Sequence, residues 1–146
     1  MAKLEVTENQ LCLIQRALDF YSRIGIGQFN EIKNHPTFEK HLIGEFKDEN
    51  GKTDYTRYHQ VRDTVDNALV HPRNMLYNNI EFGNLHGGWG IHHPNVDDSC
   101  REAFDIIQVI RHEFWKRDPE RSSITVDSSI HFTSNKGESN KIKCEL

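Results

Sequence analysis

With 146 residues the chain is long enough to bury one core, and 36% hydrophobic against 27% charged residues is the balance of a globular protein. A formal charge of −4 with scattered basic residues excludes the clustered cationic face that broad nucleic-acid binding needs. No apolar run reaches bilayer-spanning length and the first eight residues carry no secretory core, which predicts a cytoplasmic protein with no membrane partner.

Lys3-Leu4-Glu5-Val6 alternates and predicts a short edge strand. Thr7-Glu8-Asn9-Gln10 has the form of a capping box, opening a helix in which Leu11, Ile14, Leu18 and Tyr21 make one stripe. Leu13, Ala17, Phe20 and Ile24 make a second, so burial on more than one side is expected. Asp19 and Arg23 are spaced as an i,i+4 pair, and Gly25-Ile26-Gly27 closes the helix. A short helix over residues 28–33 should stop before Pro36. Residues 44–53 read as a flexible charged turn, where Asn50-Gly51 could close a hairpin. Asp54 can cap a third helix through Leu69, which His71-Pro72 should break, with another helical turn over residues 73–77.

The fourth helix carries the clearest pattern. Asn95 or Asp97 can cap it, and Cys100, Ala103, Phe104, Ile107, Ile110 and Phe114 keep the 3–4 spacing to about Lys116. It should be the central helix, packed on the first, and end at Asp118-Pro119. Beyond it, residues 123–133 and 141–146 are alternating or β-branched and suggest a C-terminal hairpin. The expected fold is therefore α+β: one mainly helical domain over residues 1–146, with a small antiparallel sheet made by the N-terminal strand and that hairpin. The wide spacing of Cys12, Cys100 and Cys144 predicts reduced thiols rather than a disulfide framework.

Candidate chemistry concentrates before the fourth helix. Gly87-Gly88-Trp89-Gly90, followed by His92 and His93, offers flexible backbone donors and a stacking ring at a helix start. Arg111, Arg117 and Arg121 could supply guanidinium forks for phosphate, although cations at a helix end also simply offset the macrodipole. The nearby His86, Asp97, Asp98 and His112-Glu113 match no metal template, so neither a metal nor a cofactor is expected. His131-Phe132-Thr133 has the His-x-Thr form of some phosphodiesterases, but in one copy where that chemistry uses two.

The runs Ala17-Leu-Asp-Phe-Tyr-Ser-Arg-Ile-Gly-Ile-Gly-Gln-Phe29, Gly88-Trp-Gly-Ile91 and Phe104-Asp-Ile-Ile-Gln-Val-Ile-Arg-His-Glu-Phe-Trp115 resemble a group of small uncharacterised proteins of tailed bacteriophages. That resemblance implies no catalytic residues. It implies an accessory role in a host cell, including defence pathways signalled by cyclic nucleotides or cyclic ADP-ribose species. The combined expectation is a non-enzymatic, homo-oligomeric protein that sequesters an anionic nucleotide-like small molecule. Its site would comprise Gly88, Trp89, Gly90, His92, His93, Arg111, Arg117 and Arg121. The alternatives are an inhibitor that binds a host protein and, third, a metal-dependent hydrolase.

Overall fold

The computed structural model describes residues 4–77, 87–120 and 143–145, with backbone only at 41–45. Five helices lie in these residues: α1 (Glu8–Gly25), α2 (Asn30–Lys33), α3 (Pro36–Glu45), α4 (Tyr55–Leu76) and α5 (Asp98–Arg117). The chain groups into two compact units, one formed by Met1–Ile26 with Trp89–Leu146, the other by Gly27–Gly88.

In the first unit α1 packs against α5. The expected capping box opens α1: the Gln10 amide N–H donates to the Thr7 hydroxyl and the Gln10 side chain receives the Thr7 N–H. Gly27, at φ 94°, supplies the left-handed residue just after the helix end. Asp97 caps α5 by accepting from the Ser99 N–H at 2.9 Å. Cys100, Ala103, Ile107 and Ile110 are buried, as the stripe predicts, and Val109 joins them. Phe104 and Phe114 are only half-buried.

The two helices run antiparallel. At one end Arg117, in the last turn of α5, makes a paired contact with the Glu8 carboxylate at 2.7 and 2.8 Å. At the other, the Tyr21 and Ser99 hydroxyls are hydrogen-bonded at 2.8 Å, and Gly25 lies against Cys100. A Cβ on Gly25 would fall 2.1 Å from the Cys100 Sγ, so the absence of a side chain there sets how closely the helices approach. Each of the two apolar stripes of α1 is covered only in part. Leu13 is 63% exposed and Tyr21 50%, with Ala17 exposed between them.

The second unit holds α2, α3 and α4. Lys33 is buried and paired with Asp66, joining α2 to α4. Arg62 donates to the Tyr58 hydroxyl and the Asn34 side chain, and Tyr58 donates to Glu39 at 3.3 Å. Phe29 meets Tyr77 edge-on at 5.9 Å. The turn after α3 closes as its Asn-Gly pair suggests: Lys47 and Thr53 form an antiparallel bridge, and the Asp48 Oδ1 accepts from the N–H groups of Asn50 and Lys52, both at 2.8 Å.

Several expectations are corrected. Among the described residues there is no strand or sheet, only that one bridge, so the α+β reading gives way to a predominantly helical fold. Residues 4–6 are exposed and irregular, because an alternating segment becomes a strand only where a neighbouring edge takes its hydrogen bonds. Residues 143–145 are likewise irregular, and the rest of the expected C-terminal hairpin lies outside the described residues. The helix α3 was not foreseen; Pro36 opens it, at a first-turn position where its missing N–H costs nothing. Pro72 does not break α4, which continues to Leu76. Arg73, the next residue, is fully buried and donates to the Asn74 side chain at 3.0 Å and the Gly87 carbonyl at 3.2 Å, anchoring the segment past the proline. No described helix is long and apolar enough to cross a membrane.

Candidate functional site

The segment from Trp89 to Asp97 is a compact turn. Trp89 N–H donates to the Ile26 carbonyl at 2.8 Å, seating the turn on the end of α1. His93 N–H reaches the Gly90 carbonyl at 2.8 Å and Val96 N–H reaches the His93 carbonyl at 2.9 Å. Arg101, one turn into α5, reaches back across it: Nε donates to the Ile91 carbonyl at 3.1 Å and Nη2 to the His93 carbonyl at 2.8 Å. Its Nη1 also lies 3.7 Å from Asp98. The guanidinium thus satisfies two turn carbonyls that face away from any ladder, and fixes the loop relative to the helix.

Within that turn the Trp89 and His93 rings are stacked, with centroids 4.9 Å apart and planes 3° from parallel. The His93 Nδ1 accepts the Asn95 N–H at 3.2 Å, which holds the imidazole in register. His92 is exposed. Gly90 is exposed too, and among the described residues nothing lies within 4 Å of where its Cβ would be. Among the described residues the backbone next to the stack is thus uncovered at Gly90. Gly88 is half-buried and directly precedes Trp89.

The arginines expected to complete this site lie elsewhere. At 1.5 Å per residue, Arg111 is about 20 Å and Arg117 about 28 Å along α5 from Asp98, too far for one mononucleotide to span. Both are already engaged. Arg111 Nη2 is 3.3 Å from Asp19 Oδ1, while Arg23 holds the same carboxylate's other oxygen at 2.8 Å. Hydrogen bonding to Glu8 raises Arg117 above the ordinary guanidinium value. Arg121 and His131 lie outside the described residues.

Arg101 is the residue that the sequence reading missed at this turn. It shares a polar stripe of α5 with Asp105, Gln108 and His112, away from Cys100. Part of that stripe is inside: Asp105 is fully buried, and the Gln108 Oε1, like the Arg111 Nε on the neighbouring face, is buried without a hydrogen-bond partner among the described residues. His112 stacks on Trp115 at 5.6 Å. No three histidine, cysteine, aspartate or glutamate side chains gather around a common point among the described residues. The Cys100 thiol is pushed up by burial and, second, by Asp97, which keeps it protonated and unsuited to nucleophilic attack.

Compared with protein-family models, curated proteins and solved structures, the chain matches none.

Proposed function

We propose that this protein acts by binding rather than by catalysis, capturing a nucleotide-derived small molecule in the cytoplasm through the turn of residues 89–93. The observation that carries this reading is the Trp89–His93 stack beside the open backbone of Gly90. A flat heterocycle extends such a stack with little reorganisation, since Arg101 already holds the turn. The reading assigns the base to this turn and gives Arg111 and Arg117 no part in phosphate contact, because Asp19 and Glu8 occupy them. With the phage-protein resemblance, the ligand class is a nucleotide signal of host defence.

The test is a thermal-shift panel of mononucleotides, cyclic nucleotides and ADP-ribose species. A ligand present at a hundred times its dissociation constant adds about 2.7 kcal/mol and a clear rise in Tm. Trp89→Ala should abolish the rise while Arg117→Ala leaves it, and the ligand should return intact after denaturation. No shift with any member, or a shift that survives Trp89→Ala, refutes the reading.

A second reading, a protein-binding inhibitor, is favoured by one specific feature: the exposed residues Leu13, Ala17 and Tyr21, one from the first apolar stripe of α1 and two from the second. It predicts no thermal shift with any nucleotide and retention of a host protein in pull-downs, which Leu13→Asp abolishes.

A further inference from the structure

The turn between α3 and α4 has a chemistry of its own. Asn50 and Gly51 are both exposed, and Gly51 has φ 74° with nothing among the described residues within 4 Å of its Cβ position. Among the described residues the Asn50 carboxamide makes no hydrogen bond; only its backbone N–H is held, by Asp48. The other described asparagines differ. Asn34 and Asn74 use their side-chain oxygens to accept from Arg62 and Arg73. Asn9, Asn30 and Asn67 lie in helices, and Asn95 is followed by the buried Val96. Asn50 alone among them combines a free carboxamide, a helix-free backbone and a following residue with no side chain to obstruct attack.

We infer that Asn50 is a site of self-catalysed deamidation, a slow covalent modification that loosens the start of α4. The Gly51 amide nitrogen attacks the Asn50 side-chain carbonyl carbon. The side-chain nitrogen departs as ammonia, carrying the Gly51 proton, and a five-membered succinimide closes. Water opens that ring at either carbonyl: at the former side-chain carbon it yields aspartate, at the backbone carbon isoaspartate. No enzyme, oxidant or cofactor is consumed.

The structure also supplies a restraint. Gly51 N–H donates to the Asp48 carbonyl at 3.0 Å, and the Asp48 carboxylate holds the N–H groups on both sides of it. Cyclisation therefore proceeds when the turn opens, and Asp48 sets how often that occurs. Isoaspartate routes the main chain through an extra methylene and adds a negative charge beside Asp48 and Glu49. The Lys47–Thr53 bridge and the Asp54 N–H to Phe46 carbonyl bond (2.8 Å) lose their register. Asp54, which caps α4 through the Arg57 N–H at 3.1 Å, is the next residue affected.

The experiment is to age the full-length protein at mildly alkaline pH and body temperature, and to follow the peptide containing Asn50 by mass spectrometry. That peptide should gain the mass difference between a hydroxyl and an amino group and split into two chromatographic species. Gly51→Ala should slow the gain by an order of magnitude, and Asp48→Ala should speed it several-fold, with circular dichroism checking that both variants remain folded. Aged wild-type protein should also be cut faster by trypsin after Lys47 and Lys52. A wild-type Asn50 that keeps its mass, or a gain unchanged by Gly51→Ala, overturns the site. An Asp48→Ala variant that ages no faster overturns the restraint.

Discussion

Replacing Gly25 with alanine gives the sharpest test of how α1 and α5 fit together. The added Cβ would sit 2.1 Å from the Cys100 Sγ and 3.0 Å from its Cβ, where carbon contacts have their optimum at about 3.5–4.0 Å. Neither atom is the tip of a long side chain that can swing aside, so the helices must part or Cys100 must leave its rotamer. Overpacking of this kind costs about 1–3 kcal/mol. Alanine's better helix propensity returns at most about 1 kcal/mol, and less at the last residue of a helix. The net loss should be about 1–2 kcal/mol, read as a lower urea midpoint with an unchanged slope. Cys100→Ala removes the sulfur and leaves the 3.0 Å contact, so the double variant should recover about 1 kcal/mol relative to the sum of the singles. A Gly25→Ala protein as stable as wild type, or strict additivity with Cys100→Ala, would refute the close approach.

Further outcomes follow from the same contacts. Asp19→Ala strands two arginines, of which Arg111 is largely buried, and should cost about 1–3 kcal/mol in denaturant titrations, whereas Glu8→Ala should change the midpoint little and only at low salt. Arg73→Ala leaves a cavity and removes the donor to the Gly87 carbonyl; a loss of about 3 kcal/mol is expected, and a silent variant would contradict its burial. Because burial raises the Cys100 thiol in the folded state, its protonated form is retained where the unfolded thiol ionises. Stability from this group is therefore complete below the unfolded thiol's range near pH 9 and falls as pH rises through it; Cys100→Ala should flatten that alkaline decline. Iodoacetamide should accordingly label Cys100 only on unfolding, after the half-exposed Cys12, as peptide mapping would show.

Local rules made much of the helical framework readable in advance. The Thr7–Gln10 box and the Asp97 and Asp54 caps work through side chains and N–H groups two or three residues apart, so the chain alone specifies them. The α5 stripe is legible for the same reason. What failed depends on partners far along the chain. Residues 4–6 alternate, yet alternation shows only that a strand could form; pairing must come from another segment. The enclosure of Asp105 on the polar stripe of α5 depends on neighbours that the sequence alone does not show. The arginines looked free because their carboxylates, Glu8 and Asp19, come from a helix about a hundred residues earlier. Pro72 looked like a stop because the bond from Arg73 to the Gly87 carbonyl lies outside its own helix turn.

The hydrogen bond from Trp89 to the Ile26 carbonyl has a consequence for how the polypeptide comes into being. It joins the points where the chain leaves the first unit and returns to it, so residues 27–88 form an insertion between the two halves of one helical pair. During synthesis α1 emerges early and has to wait, its apolar faces unmatched, until the ribosome has delivered α5. Cutting out the insertion and bridging Ile26 to Trp89 with a few glycines would shorten that wait and lessen the entropy lost on closing the loop. Such a miniature should refold faster than its parent, by a margin set by loop length alone.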